Sequence, residues 1–212
     1  MTGRDFLGST PAAITIVKYT QKNLPPPADL VNSKKLITAT LFGVLIGVVY
    51  GALPFEIGDS LIVFEAIILS ISFILLGPGG ATYTGFVNGL VETPLQLAFG
   101  PFAFGVALFY GILVDVFCTL LKVTSEGKVH TKKLVASLSV STIITGLVAT
   151  YAFIALGFGT TAPFLDVYLP VLIVGALSGT IGGFLAARIW ERNLKHRFSS
   201  AQVPPSDSVL PR

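Results

Sequence analysis

Thr84, Asn88, Glu92 and Gln96 recur every four residues in a segment that is otherwise mostly apolar. On a helix that spacing drifts only slowly around the axis, so the four side chains form one polar line that cannot face lipid. Glu65 and Asp115 are two further acids in apolar surroundings. A charged side chain at the centre of a bilayer costs about 2.5–3.5 kcal/mol on the insertion scale, so each acid must be paired, protonated or in contact with water. No Lys or Arg occurs at positions 36–121 or 134–187. The acids therefore have no intramembrane base to pair with, which leaves protonation, hydroxyl or amide donors, or a cationic ligand. Glu65, Asn88 and Glu92 are the binding candidates on this chemistry, with Asp115, Thr84 and Gln96 as a polar relay or as structural hydrogen bonds. Ser137, Ser141 and Thr145, also four apart, are candidate donors. Tyr50, Phe55 and Tyr151 fall near one rim of the apolar segments, where aromatic side chains either stack on a ligand ring or anchor the chain at the interface; Tyr151 is placed in the binding set.

The elements that carry these residues follow from the basic charge. All fourteen Lys and Arg fall in three blocks, Arg4 to Lys35, Lys122 to Lys133 and Arg188 to Arg212. Lys and Arg mark the cytoplasmic side of a membrane protein, so each base-free gap holds an even number of crossings. With 52% hydrophobic and 12% charged residues, the chain lies far from the quarter or so of charged residues in soluble domains. The basic residues flank hydrophobic runs and are topology signals, which excludes a nucleic-acid footprint.

A crossing needs about 20 mostly apolar residues. Turn signals divide the first gap into helices over 36–53, 61–76, 81–98 and 101–122, broken at Pro54, at Gly77-Pro78-Gly79-Gly80 and at Gly100-Pro101. The second gap gives helices over 134–158 and 167–189. The expectation is an all-α integral membrane protein of the plasma membrane, with six transmembrane helices in a compact bundle and both termini cytoplasmic. Its parts are a cytoplasmic N-terminal arm (1–35), the membrane domain (36–197) and a disordered tail (198–212). The arm is not a secretory signal, because Arg4, Asp5 and Lys18 interrupt it. At 1.5 Å per residue, Glu65 and Glu92 sit about 7 and 9 Å below the outer ends of their helices, and Asp115 about 20 Å below its own.

Ala39, Gly43, Gly47 and Gly51 line one face of the first helix with small residues, and Gly175, Gly179, Gly183 and Ala187 do the same on the last. Such faces let another helix approach closely. That helix is either a neighbour in the same bundle or, for Ala39, Gly43 and Gly47, a partner subunit. Enzyme chemistry finds no footing. His130 and His196 lie in the basic blocks and the one cysteine, Cys118, in an apolar run, so no intramembrane metal centre can be assembled and no cofactor is called for. Ala176-Leu177-Ser178-Gly179 lacks both the first glycine of a rhomboid-type serine motif and a membrane-embedded His as base.

Six crossings, short loops and a small-residue stripe on the first helix resemble the substrate-binding S component of an energy-coupling-factor vitamin transporter. The stretch from Gly77 to Leu121 is similar to the thiamine or hydroxymethylpyrimidine type. It carries Gly-Pro-Gly-Gly-Ala, then Asn88 and Glu92, then Tyr110-Gly111 followed by Asp115-Val116-Phe117. The resemblance implies a small organic substrate, and a transmembrane coupling subunit docked on Ala39, Gly43 and Gly47 with ATPase subunits supplying the energy in trans. The nine-residue loop from Ala52 to Ser60 is short for the lid that closes over substrate in many members. Two other readings are a non-catalytic structural subunit of a larger membrane complex and a proton- or cation-conducting bundle using Glu92 and Asp115 as relay steps.

Overall fold

The computed structural model describes residues 33–52, 58–96, 100–125, 128–157 and 164–195. Met1–Lys34 and Lys35–Arg212 separate as two compact units, and the architecture is that of the second. The expected arm, apart from its last residues, and the expected tail lie outside the described residues, as does Phe55.

Among the described residues, six α-helices make up the bundle: α1 (Ser33–Ala52), α2 (Gly58–Leu76), α3 (Gly80–Leu95), α4 (Gly100–Leu120), α5 (Thr131–Ala155) and α6 (Phe164–Ile189), the last running on into a π-helical turn, Trp190–Leu194. α1, α4, α5 and α6 with its extension are long and apolar enough to cross a membrane. Large apolar side chains such as Leu41, Val48, Leu90, Ile173 and Phe184 cover the outside of the bundle, the surface expected of a chain whose solvent is lipid.

α3 departs from the expected span over 81–98. It has 16 residues, about 24 Å at 1.5 Å per residue, against a hydrocarbon core of about 30 Å. Pro94 sits in its last turn, where the missing N–H and the bulk of the ring work against extension. Neighbours bury its polar face, where Ala81, Thr84, Gly85, Asn88, Gly89 and Glu92 lie, while the apolar Phe86, Leu90 and Leu95 stay exposed on the opposite one.

Glycine contacts give the direction of each helix. A Cβ added to Gly43 would lie 2.8 Å from the Thr84 carbonyl oxygen, and one added to Gly47 would lie 2.9 Å from that of Asn88. Contacts therefore advance together along α1 and α3, which run parallel. Between α3 and α4 the order reverses: Gly111 meets Ala81, Gly85 meets Ala107, Gly89 meets Phe104, and Thr93 meets Gly100. α5 and α6 are likewise antiparallel, with Gly175 on Ile143, Gly179 on Ser139 and Gly183 on Val135. Both small-residue stripes are thus filled from within the chain. The assignment of Ala39, Gly43 and Gly47 to partner docking is corrected accordingly: α3 occupies that face, and all three residues are buried.

Two local features shape the bundle end nearest the basic residues. Gly77 and Gly79 adopt positive φ (81° and 94°) between α2 and α3, a conformation that a Cβ disfavours. Between α4 and α5, the segment predicted as a simple basic loop forms a two-stranded antiparallel hairpin, β1 (Thr124–Ser125) and β2 (Lys128–Val129). Val123 enters it fully buried, in a core cluster with Phe73, Val114, Leu134 and Leu138 that Val129, Trp190 and Leu194 cover from outside.

Candidate functional site

The polar line of α3 faces inward, and two of its members meet acids. Asn88 Nδ2 donates to Glu65 Oε1 at 3.2 Å, tying α3 to α2. One turn further on, Gln96 Nε2, just past the end of α3, donates back to Glu92 Oε1 at 2.7 Å. Glu65, Asn88 and Glu92 are 8, 1 and 7% exposed, so both carboxyl groups and the amide are removed from solvent. The two acids are also close enough to feel each other's charge, as expected for side chains at similar depth. Thr84, one turn before Asn88, is buried against α1, its hydroxyl 3.5 Å from the Ala39 carbonyl at the outer limit of a hydrogen bond.

Other helices add groups around Glu65. Tyr50, at the end of α1, and Tyr110, in the middle of α4, both lie within electrostatic reach of it. Tyr110 Oη is 2.8 Å from Thr142 Oγ1 on α5. Thr142 spends its one hydroxyl proton on the Leu138 carbonyl at 2.8 Å, so Tyr110 is the donor of that pair. The Tyr110 oxygen then offers Glu65 no proton. Ser137 and Ser141 bond back to carbonyls on their own helix, Lys133 and Ser137 respectively, a frequent outcome for hydroxyls inside a helix. They do not serve as donors to the acids. Of the line expected on α5, Thr145 is the member whose buried hydroxyl has no partner.

A count of donors against acceptors summarises the cluster. Glu65, Glu92, Asn88 Oδ1 and the Tyr110 oxygen accept. Asn88 Nδ2 and Gln96 Nε2 donate and are committed, and the Tyr50 hydroxyl is a further donor within reach of Glu65. Asn88 Oδ1 and Thr145 Oγ1 are buried without a hydrogen-bond partner, a state that costs about 1–3 kcal/mol per group when nothing else satisfies it. No Lys or Arg lies in the helices at this level. The cluster has acceptors to spare and is short of positive charge and N–H groups.

Asp115 belongs to a different place. Its carboxylate accepts from the backbone N–H of Ala81 at 3.2 Å, from that of Thr82 at 2.7 Å and from the Thr82 hydroxyl. The residue in the N-cap position of α3 is Gly79, which has no side chain to cap with. An acid on α4 therefore caps α3 from across the helix pair, where first-turn N–H groups and the positive end of the helix dipole both favour negative charge. This is the structural role among those open to Asp115, and the donor set is backbone rather than the Ser and Thr hydroxyls alone.

Tyr151 is not part of the cluster. It is 67% exposed on α5, on the outer surface, which removes it from the binding set and leaves it the anchoring role of an aromatic at the membrane rim. Tyr110 is the residue that sequence reasoning left out of the site. Its tyrosine hydroxyl in the middle of an apolar helix was the available signal, since a phenol placed there needs a partner. Among the described residues no group of three His, Cys, Asp or Glu is placed to hold a metal ion. Compared with known proteins, the chain matches no family model, no curated protein and no solved structure.

Proposed function

We propose that the protein captures a small cationic or amine-bearing organic molecule at Glu65, Asn88 and Glu92. It acts as the substrate-binding subunit of an uptake transporter in the plasma membrane, with a vitamin or vitamin precursor such as a thiamine-like pyrimidine as substrate. The observation that carries this reading is the imbalance inside the bundle: two buried acids, an amide oxygen without a donor, and no base among the surrounding helices. A ligand bringing positive charge and N–H groups supplies what the cluster lacks, and buried acids in membrane proteins commonly mark such pathways. The resemblance of the stretch from Gly77 to Leu121 to thiamine-type S components supports the same substrate class.

On this reading the energy comes from elsewhere, through a transmembrane coupling subunit and cytoplasmic ATPases. Because α3 fills the stripe of Ala39, Gly43 and Gly47, a coupling subunit has to meet another surface of the bundle. The proton- or cation-relay reading is weakened by Asp115, since the acid it needs at a second depth is engaged in capping α3.

Gentle purification from the native membrane, followed by mass spectrometry of co-purifying small molecules and proteins, tests the proposal. A retained amine-bearing molecule together with an ATPase module is the expected result. Stoichiometric recovery in an unrelated membrane complex, without such a molecule, sinks it.

A further inference from the structure

The outward face of α6 ends in a site of a different kind. Gly175, Gly179 and Gly183 seat α6 on α5, and Gly182 seats it against Ala66 of α2. Ile181, Phe184 and Leu185 are left facing out, and all three are exposed. Steps of three and four residues carry that apolar track on to Arg188 and then Arg192. Here the helix widens into its π-helical turn, in which the Lys195 N–H reaches back to the Trp190 carbonyl. Trp190 and Leu194 hold the turn against the core. The wider winding brings Asn193 round toward the arginine face, closer than an α-helix would place it. Arg188, Ile189, Arg192 and Asn193 together line a recess of about 250 Å³. Among the described residues neither guanidinium has a hydrogen-bond or ion-pair partner, and Glu191, the acid on this turn, pairs with neither.

We propose that this recess holds the phosphate of an anionic phospholipid whose acyl chains lie along Ile181, Phe184 and Leu185. Two guanidinium forks and an amide side chain match several phosphate oxygens at once, whereas a lysine would meet the group as a point charge. The apolar track decides between lipid and free phosphate as the source, because it leads out of the recess into the zone of the acyl chains. Basic recesses at the ends of transmembrane helices bind lipid headgroups in this way. The site uses none of Glu65, Asn88 or Glu92, so it stands or falls apart from the ligand proposed for them.

Native mass spectrometry tests the site, with the full-length protein in micelles containing equal amounts of phosphatidylglycerol and phosphatidylcholine of the same acyl chains. Phosphatidylglycerol is expected to be retained with a preference of about tenfold or more. Combining Arg188→Gln with Arg192→Gln, both at exposed positions, should bring the preference below about threefold. Lys132→Gln with Lys133→Gln removes the same charge from the same end of the bundle at exposed positions and should leave the preference intact. Equal retention of the two lipids by the unaltered protein overturns the proposal, and that comparison needs neither variant to fold. Equal loss of preference in the two double variants also overturns it, since attraction to basic charge in general would then explain the binding. Soluble glycerol 3-phosphate competing as well as phosphatidylglycerol would overturn the lipid and assign the recess to a free phosphate.

Discussion

Asp115 and Glu92 show how differently two buried acids can be used on adjacent helices. Asp115 holds three donors from the first turn of α3, so Asp115→Ala is expected to destabilise the protein by about 1–3 kcal/mol, the range for losing a cap with charge-assisted hydrogen bonds. Asp115→Asn should cost less, because its carbonyl oxygen still accepts one N–H. Chemical unfolding of the purified variants in detergent measures both, and an unchanged midpoint for the Ala variant would remove the capping role. Glu92 has a single amide donor, Gln96, and is the acid with most left to offer a ligand. Glu92→Gln is expected to weaken binding of an amine-bearing ligand more than tenfold with little effect on stability; unchanged affinity would take Glu92 out of the site. Tyr151→Ala, at a position 67% exposed, should leave affinity within about twofold, a modest margin in free energy. What the sequence made legible at this scale was which residues are polar and inward. It could not show that Asp115 meets backbone N–H groups, because a cap contributed from another helix leaves no local spacing to read.

α3 is the element on which the bundle is assembled, pressed between α1 on one side and α4 on the other with glycine at the closest approaches. Gly47 has the Asn88 carbonyl and Val91 against it, and backbone cannot shift to admit a side chain. Gly47→Val is therefore expected to cost at least the 1–3 kcal/mol typical of overpacking. Gly105 on α4 has nothing within 4 Å of its would-be Cβ, so Gly105→Ala should stabilise by up to about 1 kcal/mol through helix propensity alone. The same unfolding measurement on the pair separates steric fit from a general intolerance of glycine replacement; equal losses would contradict the α1–α3 contact. The stripe on α1 was plain in the sequence, yet periodicity identifies a small face and not the helix that fills it, which is why partner docking stood open as a reading. The second set of contacts, through Gly85 and Gly89 on α3, shares its helix with the polar line and was overshadowed by it. The hairpin at Thr124–Val129 was missed for a simpler reason: strands of two residues are too short for alternation to be visible.

For the whole molecule, alternating helix directions bring Lys35, Lys122, Lys128, Lys132, Lys133, Arg188, Arg192 and Lys195 to one end of the bundle, with Asp166 at the start of α6 at the other. The charge blocks in the sequence anticipated that segregation, and the rule that basic ends remain cytoplasmic predicts which side each end faces. In a Cys118→Ala background, Lys128→Cys is expected to react with an impermeant thiol reagent only from the cytoplasmic side and Asp166→Cys only from outside. Reaction of both from the same side would rule out the alternating arrangement. The capping of α3 also bears on how such a molecule can move. Asp115 pins the first turn of α3 to α4, and at the far end Gly100 packs directly against the Thr93 backbone, with further glycine contacts in between. A pair capped at one end and closely packed along its length resists sliding and splaying, so α3 and α4 are expected to move together, carrying Asn88 and Glu92. Any stroke that opens or closes around a ligand then falls to the helices facing that pair, and the Asn88–Glu65 bond to α2 is the latch such a stroke would have to release.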